Sequence, residues 1–334
     1  DLLRISVASA GNDHRLGGFE APPAIISMFL GDELTEILEA LASGSPVAGR
    51  GKMQMQLGVH VLPPVPKDTT DRNRTSAFAF TGNKFEFRML GSSFSVADPN
   101  TTLNTIVAAS LRDFYNELEG AKDFNLAVQE LVRRTYKEHR RIVFNGNNYA
   151  PEWIREAEKR GLLNLQSSPD AYDTFLLQKN IDLFGSFRIF NSVEMHARYE
   201  ILNEEYSKTV HIEAVTLVDM VNKQIRPAVD RYMTELSSSV ASRKAVIPQL
   251  ECRSALERIS KLSVLIDELA DRTDRLDELV QQASAYQGSE LAHFSQRSLI
   301  SQMQSVREVC DSLELIVDEK IWPYPTYGQM LFYV

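Results

Sequence analysis

The feature that most constrains the fold is a pair of apolar heptad patterns near the end of the chain. The first consists of Ala255, Ile259, Leu262, Ile266, Leu269, Thr273, Leu276 and Val280. The second consists of Leu299, Met303, Val306, Cys310, Leu313 and Val317. This spacing places an apolar seam along one face of each helix, to be buried against another helix. Because only a short turn around Gln287-Gly288-Ser289 separates the seams, the sequence predicts an antiparallel helical hairpin.

The chain between residue 124 and the first seam is also helical in pattern. Helices are predicted at 124–143 and 151–160, and another begins at the capping sequence Ser168-Pro169-Asp170. From Ser192 to about Val246 the pattern predicts one helix of about fifty residues. Pro227 lacks a backbone donor and is expected to kink or break it. The seam pattern extends into this helix and predicts a bundle of at least three helices, through Ala214, Val218, Val221 and Ile225.

The first 123 residues combine strand and helix patterns. The predicted segments are a strand at 2–10, a polar loop at 11–18, a helix opened by proline at 23–42, an irregular stretch at 43–70 and a helix at 101–118. The clearest strand lies at 84–89, where Lys84, Glu86 and Arg88 alternate with apolar residues. This alternation gives one charged face and one apolar face.

These patterns predict an α+β protein that is predominantly helical. The predicted domains are an α/β part at 1–123, a helical extension and bundle at 124–321, and an aromatic tail at 322–334. The segment Trp322-Pro323-Tyr324-Pro325-Thr326-Tyr327 cannot be helical and is too aromatic to remain in water. The tail is therefore expected to dock on a folded surface.

Composition narrows the class of protein. The 334 residues are 43% hydrophobic and carry a net charge of −9, which suits a globular protein and argues against a nucleic-acid partner. No apolar run approaches the roughly 18 residues of a membrane span, so no membrane partner is expected. Cys252 and Cys310 lie in helical patterns and are interpreted as reduced core residues of a cytoplasmic protein. The chain starts at Asp1 without methionine, and we expect it to be a piece of a longer protein.

The candidate chemistry lies in the first ninety residues, in Arg15, Glu20, Arg74, Glu86 and Arg88. Arginine matches the geometry of carboxylate and phosphate, and a glutamate among arginines can bind a hard cation. The set therefore predicts a site for an anionic ligand, such as phosphate with a metal. For the alternation alone, a half-exposed strand with a solvated row of ion pairs is the simpler interpretation.

The other charged groups are interpreted as structural, except His14, which lies in a loop with other polar groups. The histidines do not pair with one another, or with Cys or carboxylates, at a convincing metal-ligand spacing: His14, His60, His139, His196, His211 and His293. A basic run on one helix is interpreted as a solvated face: Arg133, Arg134, Lys137, His139, Arg140 and Arg141.

The same candidate residues carry a resemblance to glutamine synthetases. Residues 14–22 (His-Arg-Leu-Gly-Gly-Phe-Glu-Ala-Pro) resemble that family's arginine-to-Glu-Ala-Pro loop. Residues 72–76 (Arg-Asn-Arg-Thr-Ser) resemble its Arg-Asn-Arg-Ser stretch, and residues 84–88 (Lys-Phe-Glu-Phe-Arg) its basic-x-Glu-x-Arg strand. Asp98-Pro99 with Asn104, the stretch Glu194–Glu200, and the terminal Trp-Pro-Tyr-Pro-Thr-Tyr-Gly extend the similarity toward type III enzymes. The resemblance covers nearly the whole chain.

The resemblance implies an ATP-dependent ligase that joins ammonia to the γ-carboxylate of glutamate through a γ-glutamyl phosphate. Glu86 would correspond to a ligand of Mg²⁺ or Mn²⁺, and Glu20 to the loop glutamate that closes the site and accepts a proton from ammonium. Substrate glutamate would be held by Arg15 and Arg88, and ATP phosphates by Arg74 and Lys84. Arg74 would, with Glu20, count as catalytic. These roles suit phosphoryl transfer, which depends on positioning and charge neutralisation.

The resemblance also implies a cytoplasmic homo-oligomer, a dodecamer in the family. It assigns 1–123 to part of the catalytic domain, and it places further metal and nucleotide ligands before residue 1. The missing N-terminal half is thus an expected partner, and this chain alone is expected to be folded but inactive. One departure is Ala79, which stands where the family usually has an arginine.

Two alternatives remain open. The chain could be a non-catalytic helical assembly or interaction module with a vestigial α/β part, since more than half of it is helical in pattern. It could instead belong to a related ligase that joins glutamate to another amine, which shares the phosphate chemistry. The first alternative gives no reason for two carboxylates and three arginines to stay together.

Overall fold

The computed structural model describes residues 1–18, 20–45, 54–55, 65–66 and 76–332. It divides into two compact units, Asp1–Tyr199 and Glu200–Val334. The boundary predicted at residue 123 concerns the limit of a catalytic domain and stays a prediction. Both units are predominantly helical with a small sheet in the first, so the predicted fold class is confirmed.

The chain begins with two short helices, α1 (Leu2–Ile5) and α2 (Ala10–Arg15). The strand predicted at 2–10 and the loop predicted at 11–18 are therefore wrong over these residues. Side-chain caps explain the difference, because Asp1 accepts from the Leu2 amide and Ser9 accepts from the Asn12 amide. These caps satisfy backbone amides in the first turn of each helix. The partly alternating apolar pattern at 2–10 gave no indication of them.

The helix predicted at 23–42 starts later than expected. A two-residue strand, β1 (Met28–Phe29), comes first, and α3 spans Asp32–Ser43. Asn145 decides the start, because its side-chain oxygen accepts from the amides of Leu30 and Gly31, both at 3.1 Å. Gly31 has a φ of 78°, which turns the chain into the helix.

The site-bearing sheet has three strands. Two backbone segments, β2 (Gln54–Met55) and β3 (Val65–Pro66), pair separately. Both fall in the irregular stretch predicted at 43–70, of which residues 46–53, 56–64 and 67–70 lie outside the described residues. In the main sheet, β4 (Phe78–Phe80) pairs parallel to β1 and antiparallel to β5 (Phe85–Phe87). The strand predicted at 84–89 is confirmed over β5.

Helices complete the first unit: α4 (Ala97–Leu118), α5 (Phe124–His139), α6 (Pro151–Lys159), α7 (Ser168–Tyr172) and α8 (Gln178–Ser186). The helices predicted at 101–118, 124–143 and 151–160 are confirmed, and a 3-10 turn at Arg140–Ile142 extends α5. Trp153 on α6 is buried with Ile25 and stacks on Phe144, with 3.8 Å between ring centroids.

A long helical path follows from α9 (Ser192–Met220) to α10 (Arg226–Val246). The kink or break predicted at Pro227 takes the form of a π-helical turn at Val221–Ile225, which joins the two helices. Proline has no N–H to donate to the residue four positions earlier, and its ring crowds that carbonyl. In the π-helical turn the Arg226 amide donates to the Val221 carbonyl, five positions earlier and not four. This wider turn relieves the conflict.

The predicted hairpin is formed by α11 (Arg253–Gln282) and, after a 3-10 turn at Ala283–Ala285, by α12 (Gly288–Phe294), a π-helical turn at Ser295–Ile300 and α13 (Ser301–Glu314). Fully buried seam residues are Leu262, Leu269, Thr273, Leu276, Leu299, Val306 and Leu313. At the end of the first seam Leu279, not the predicted Val280, is buried. Helix α10 also packs on α11.

The aromatic tail contacts α13. Arg307 donates to the Tyr327 hydroxyl at 2.8 Å, and that hydroxyl donates to Asp311 at 3.1 Å. A final helix, α14, spans Tyr327–Phe332, so the prediction of a non-helical segment at 322–327 is wrong at Tyr327. Across the described residues, no helix combines the length and apolar character that a bilayer span requires.

Candidate functional site

A row of three charged side chains lies on β5 and its flanks. The Lys84 Nζ atom is 2.9 Å from Glu86 Oε1, and Arg88 donates from Nη2 and Nε to Glu86 Oε2 at 2.9 and 3.1 Å. The hydrogen bond from Lys84, followed by those from Arg88, holds the pKa of Glu86 below its usual value. The Glu86 side chain keeps 35% of its surface exposed, so another ligand can reach it.

The register of the sheet explains which face carries this row. Glu86 pairs with Ala79, while Phe85 and Phe87 pair with Phe80 and Phe78. The phenylalanines of the two strands contact one another on one face, with Phe78 and Phe85 stacked at 5.6 Å. Ala79, which replaces the arginine expected from the resemblance, is fully buried beside Glu86. A methyl group there leaves the Glu86 carboxylate to Lys84 and Arg88.

Arg15 lies at the end of α2 and reaches the strand. Its Nη1 atom donates to the Met89 carbonyl at 3.0 Å and to Asn12 Oδ1 at 3.3 Å. Buried Asn12 donates from Nδ2 to the same Met89 carbonyl at 3.0 Å and to the Val7 carbonyl at 2.7 Å. Met89 directly follows Arg88, so α2 and the charged row are joined at one backbone oxygen.

A tight loop returns the chain from Arg15 to Glu20. Leu16 and Ala21 form a parallel bridge, and the Gly17 amide donates to the carbonyls of Ala21 at 3.1 Å and Pro22 at 3.0 Å. Gly17 has a φ of 81°, which a residue with a side chain rarely adopts. Glu20 thereby comes to 3.4 Å from Arg15 Nε, yet its side chain is 75% exposed.

The structure thus gives two groups, Arg15 with Glu20 and Lys84 with Glu86 and Arg88, which are connected through the Met89 carbonyl. Arg74, together with Arg72 in the same stretch, lies outside the described residues. The structure resumes at Ser76, which is buried and accepts a hydrogen bond from Asn148 at 3.1 Å. Asn148 in turn accepts from Ser27 at 3.0 Å.

The sequence did not identify three residues that support the site: Asn12, Asn148 and Tyr149. The Tyr149 hydroxyl donates to the Glu20 carbonyl at 3.2 Å, 129 positions away. A run such as Asn147-Asn148-Tyr149 is typical of a turn, and nothing local indicates that it binds distant loops. Of these three residues, only Asn12 could have been suggested by the sequence, because it lies in the same polar stretch as Arg15.

The side chains of the candidate site can bind anions and can supply one ligand to a metal ion. Arg15, Arg88 and Lys84 offer cationic donors for carboxylate or phosphate oxygens. Glu86 offers a carboxylate, which Mg²⁺ and Mn²⁺ prefer, and its exposed surface leaves a metal access. Within 1–18, 20–45 and 76–332, no three His, Cys, Asp or Glu side chains form a metal-binding group.

In the basic run on α5 and the 3-10 turn after it, Arg133, Arg134 and Arg141 have hydrogen-bond partners. Arg134 bonds to Glu117 at 2.6 Å and Arg133 to Glu130 at 3.2 Å. Arg141 donates to the carbonyls of Arg160 and Gly161 at 3.4 and 3.2 Å. These exposed contacts agree with a solvated face and add no candidate ligand.

Comparison with known proteins gives concordant matches. The glutamine synthetase C-terminal domain matches residues 127–244. A type-3 glutamine synthetase of Dictyostelium discoideum is 41% identical over 343 aligned positions, covering 99% of this chain and 46% of the relative. Glutamine synthetases of Butyrivibrio fibrisolvens and Bacteroides fragilis are 39% and 33% identical, each covering 99% of this chain and 47% of the relative. The chain spans about half the length of the curated relatives it matches.

Proposed function

Because this chain is homologous over nearly its whole length to part of the type-3 glutamine synthetases, we propose that it carries part of the active site of a glutamate–ammonia ligase. The proposed reaction phosphorylates the γ-carboxylate of glutamate with ATP, and ammonia then displaces phosphate to give glutamine, ADP and phosphate. The observation that supports the proposal is the junction at the Met89 carbonyl, where Arg15 and Asn12 of α2 bind the residue that follows Arg88.

The cationic side chains supply charge neutralisation. Arg88 and Arg15 are assigned to the carboxylates of glutamate and to the charge that develops on the reacting group. Lys84 at the strand start and Arg74, from the stretch outside the described residues, are assigned to the phosphates of ATP. Phosphoryl transfer gains most of its rate from such positioning and electrostatic stabilisation.

Glu86 is assigned to a metal ion, Mg²⁺ or Mn²⁺. Bound there, the ion would neutralise phosphate charge next to the transferred group. Glu86 already lies between two cations, Lys84 and Arg88, so it is held in its ionised form, which a metal ligand needs. Because the Glu86 side chain is partly exposed, its Oε1 atom can exchange its contact with Lys84 for a bond to the metal.

Glu20 is assigned to proton transfer. Ammonium has no lone pair for attack, so a carboxylate must accept a proton before the nitrogen can react. Glu20 lies on the loop closed by the Leu16–Ala21 bridge, and its exposed side chain can approach a substrate bound at Arg15. A closing loop at this position also protects an acyl phosphate from water.

The homology supports further proposals about the whole protein. We assign it to the cytoplasm and to a homo-oligomer, with the additional nucleotide and metal ligands on sequence that pairs with the 1–123 part. The domain limits 1–123, 124–321 and 322–334 are proposed on the same basis, and the family match at 127–244 falls inside the proposed helical extension.

The test uses the full-length natural protein that contains this chain. Glu86→Ala is expected to lower glutamine formation at least about 100-fold at ordinary Mg²⁺ or Mn²⁺, because a metal ligand acts in the transition state. The matched control is Glu117→Ala, which removes another exposed Glu–Arg pair, 2.6 Å long and remote in sequence. The control should keep activity within about twofold, as expected for a surface ion pair.

Melting curves for both variants should stay close to the parent, since both side chains are at least one third exposed. Near-normal glutamine synthesis by Glu86→Ala would refute the metal assignment.

Assays with methylamine or ethylamine in place of ammonia test the alternative of a related glutamate–amine ligase, because such an enzyme would prefer those substrates. A parent protein that turns over none of these amines would favour the non-catalytic helical module.

A further inference from the structure

A buried ion pair lies against α2, the helix that ends at Arg15. Arg4 on α1 is 1% exposed, and its Nη2 atom donates to Asp13 Oδ1 at 2.7 Å. The same guanidinium donates to the carbonyls of Leu165 at 2.8 Å and Gln166 at 3.2 Å. Arg4 therefore binds the first two helices to the segment that precedes α7.

Asp13 makes the matching contacts from α2. Its Oδ2 atom accepts from the Ser168 amide at 2.6 Å, and its Oδ1 atom accepts from the Ser168 hydroxyl at 2.8 Å. Ser168 is fully buried at the start of α7. Both carboxylate oxygens are thus hydrogen-bonded, which reduces the cost of burying the charge. Burial still raises the pKa of Asp13, with Arg4 and Ser168 acting in the opposite direction.

The short helix connects this network to Arg15. Asp13 and Arg15 both belong to the six residues of α2, two positions apart. Asn12, the residue before Asp13 on α2, donates to the Val7 and Met89 carbonyls and so fixes the helix to them. A six-residue helix has too few internal hydrogen bonds to keep its own direction, so these side-chain anchors set where the Arg15 guanidinium lies.

We propose that Asp13 and Ser168 are positioning residues, which hold α2 so that Arg15 reaches the Met89 carbonyl and faces substrate. This inference rests on the proposed function of Arg15. It links the reactive loop to the helical region matched by the glutamine synthetase C-terminal domain, because Ser168 lies within residues 127–244. Misplacement by about 1 Å can lower an enzymatic rate strongly, so a remote anchor of this kind affects catalysis.

The test compares two adjacent buried serines in the full-length protein. Ser168→Ala removes the hydroxyl that donates to Asp13. Ser167→Ala is the matched control, because Ser167 is 4% exposed, caps α7 and donates to Asp170 at 2.6 Å instead. We expect Ser168→Ala to lower kcat/KM for glutamate by roughly three- to tenfold and Ser167→Ala by less than about twofold, at comparable loss of melting temperature.

A direct readout of position is independent of activity. Amide hydrogen exchange at Asn12–Arg15 should be faster in Ser168→Ala than in Ser167→Ala. Equal exchange in the two variants would overturn the proposal, whatever the ligase activity. This measurement therefore separates a failure of the positioning inference from a failure of the proposed function.

A double-mutant cycle completes the test. In an Arg15→Lys background, which keeps the charge but loses the fork, Ser168→Ala should cause little further loss, because the residue it positions is already impaired. Full additivity would mean that Ser168 acts only through stability, and the proposal would fail. An Arg15→Lys variant with parental kcat/KM would remove the proposed role of Arg15, and the positioning role with it.

Discussion

The Nη1 atom of Arg15 donates to the carbonyl oxygen of Met89 at 3.0 Å, although the two residues are 74 positions apart. Asn12 donates to the same oxygen, so two side chains of α2 are fixed at the residue after Arg88. A backbone carbonyl cannot rotate away as a side chain can, which makes it a firm anchor. The helix that ends at Arg15 and the backbone just after Arg88 are therefore joined at this oxygen.

The pKa of Glu86 should depend on Lys84. Lys84→Met removes the larger cause of the lowered pKa, so we expect the Glu86 pKa to rise toward its usual value, with Arg88 retaining part of the effect. The stabilisation from this ion row is present above the usual glutamate pKa and is lost as the pH falls through the lowered pKa. Carboxyl ¹³C NMR titration measures the shift, and the control is Lys122→Met, at an exposed lysine between α4 and α5 that is not part of the row. An unchanged Glu86 titration would show that Lys84 does not bind it in solution.

Glu20→Gln should separate the two chemical steps. The amide cannot accept a proton, so glutamine formation is expected to fall about 100-fold or more while ATP consumption with glutamate continues more slowly and the acyl phosphate is lost to water. Parallel assays of phosphate and glutamine measure the ratio, and Glu33→Gln on α3 is the control. Equal loss of both products would rule out a dedicated proton acceptor at Glu20.

The two cysteines should differ in reactivity. Burial, with a smaller contribution from Asp311, raises the pKa of the Cys310 thiol to about 12, whereas Cys252 is partly exposed. Since the thiolate is the reactive form, a thiol reagent at pH 8 should label Cys252 in the folded protein and Cys310 only after denaturation. Cys252→Ser should abolish labelling within residues 1–334 of the folded protein. Rapid labelling of Cys310 in that variant would contradict the buried seam.

The hairpin core should be sensitive to a single seam leucine. Leu269 is fully buried on α11, and Leu269→Ala is expected to lower the free energy of unfolding by about 2–5 kcal/mol. Leu256→Ala on the same helix is the matched control, because Leu256 is 41% exposed and should cost well under half as much. Denaturant unfolding followed by circular dichroism measures both. Equal effects would place the helix in a different rotation about its axis.

Some features were predictable because they depend on neighbours along the chain. Helical periodicity gave α4, α5 and α6, and the heptad seams gave the hairpin, since apolar spacing fixes which face of a helix is buried. The strict alternation around Glu86 gave β5 for the same reason. The resemblance, carried by short motifs, pointed to Arg15, Glu20, Lys84, Glu86 and Arg88 together.

Other features were decided only by tertiary structure. The strand predicted at 2–10 became helical, and Arg4 within it became a buried partner of Asp13 and of carbonyls about 160 positions away. Asn145 set the start of α3 from more than a hundred positions away. Pro227 was predicted to kink or break its helix, and the fold absorbed it in a π-helical turn.

The sequence by itself determined the helical class, the seams and the types of side chain in the candidate site, because these follow from spacing and from the chemistry of each residue. Tertiary structure decided which distant groups meet, as when the Met89 carbonyl receives both Arg15 and Asn12. A backbone oxygen has the same identity at every position, so no pattern of side chains marks it as an anchor. Only the folded path of the chain, which balances the burial of all its polar groups at once, selects that partner.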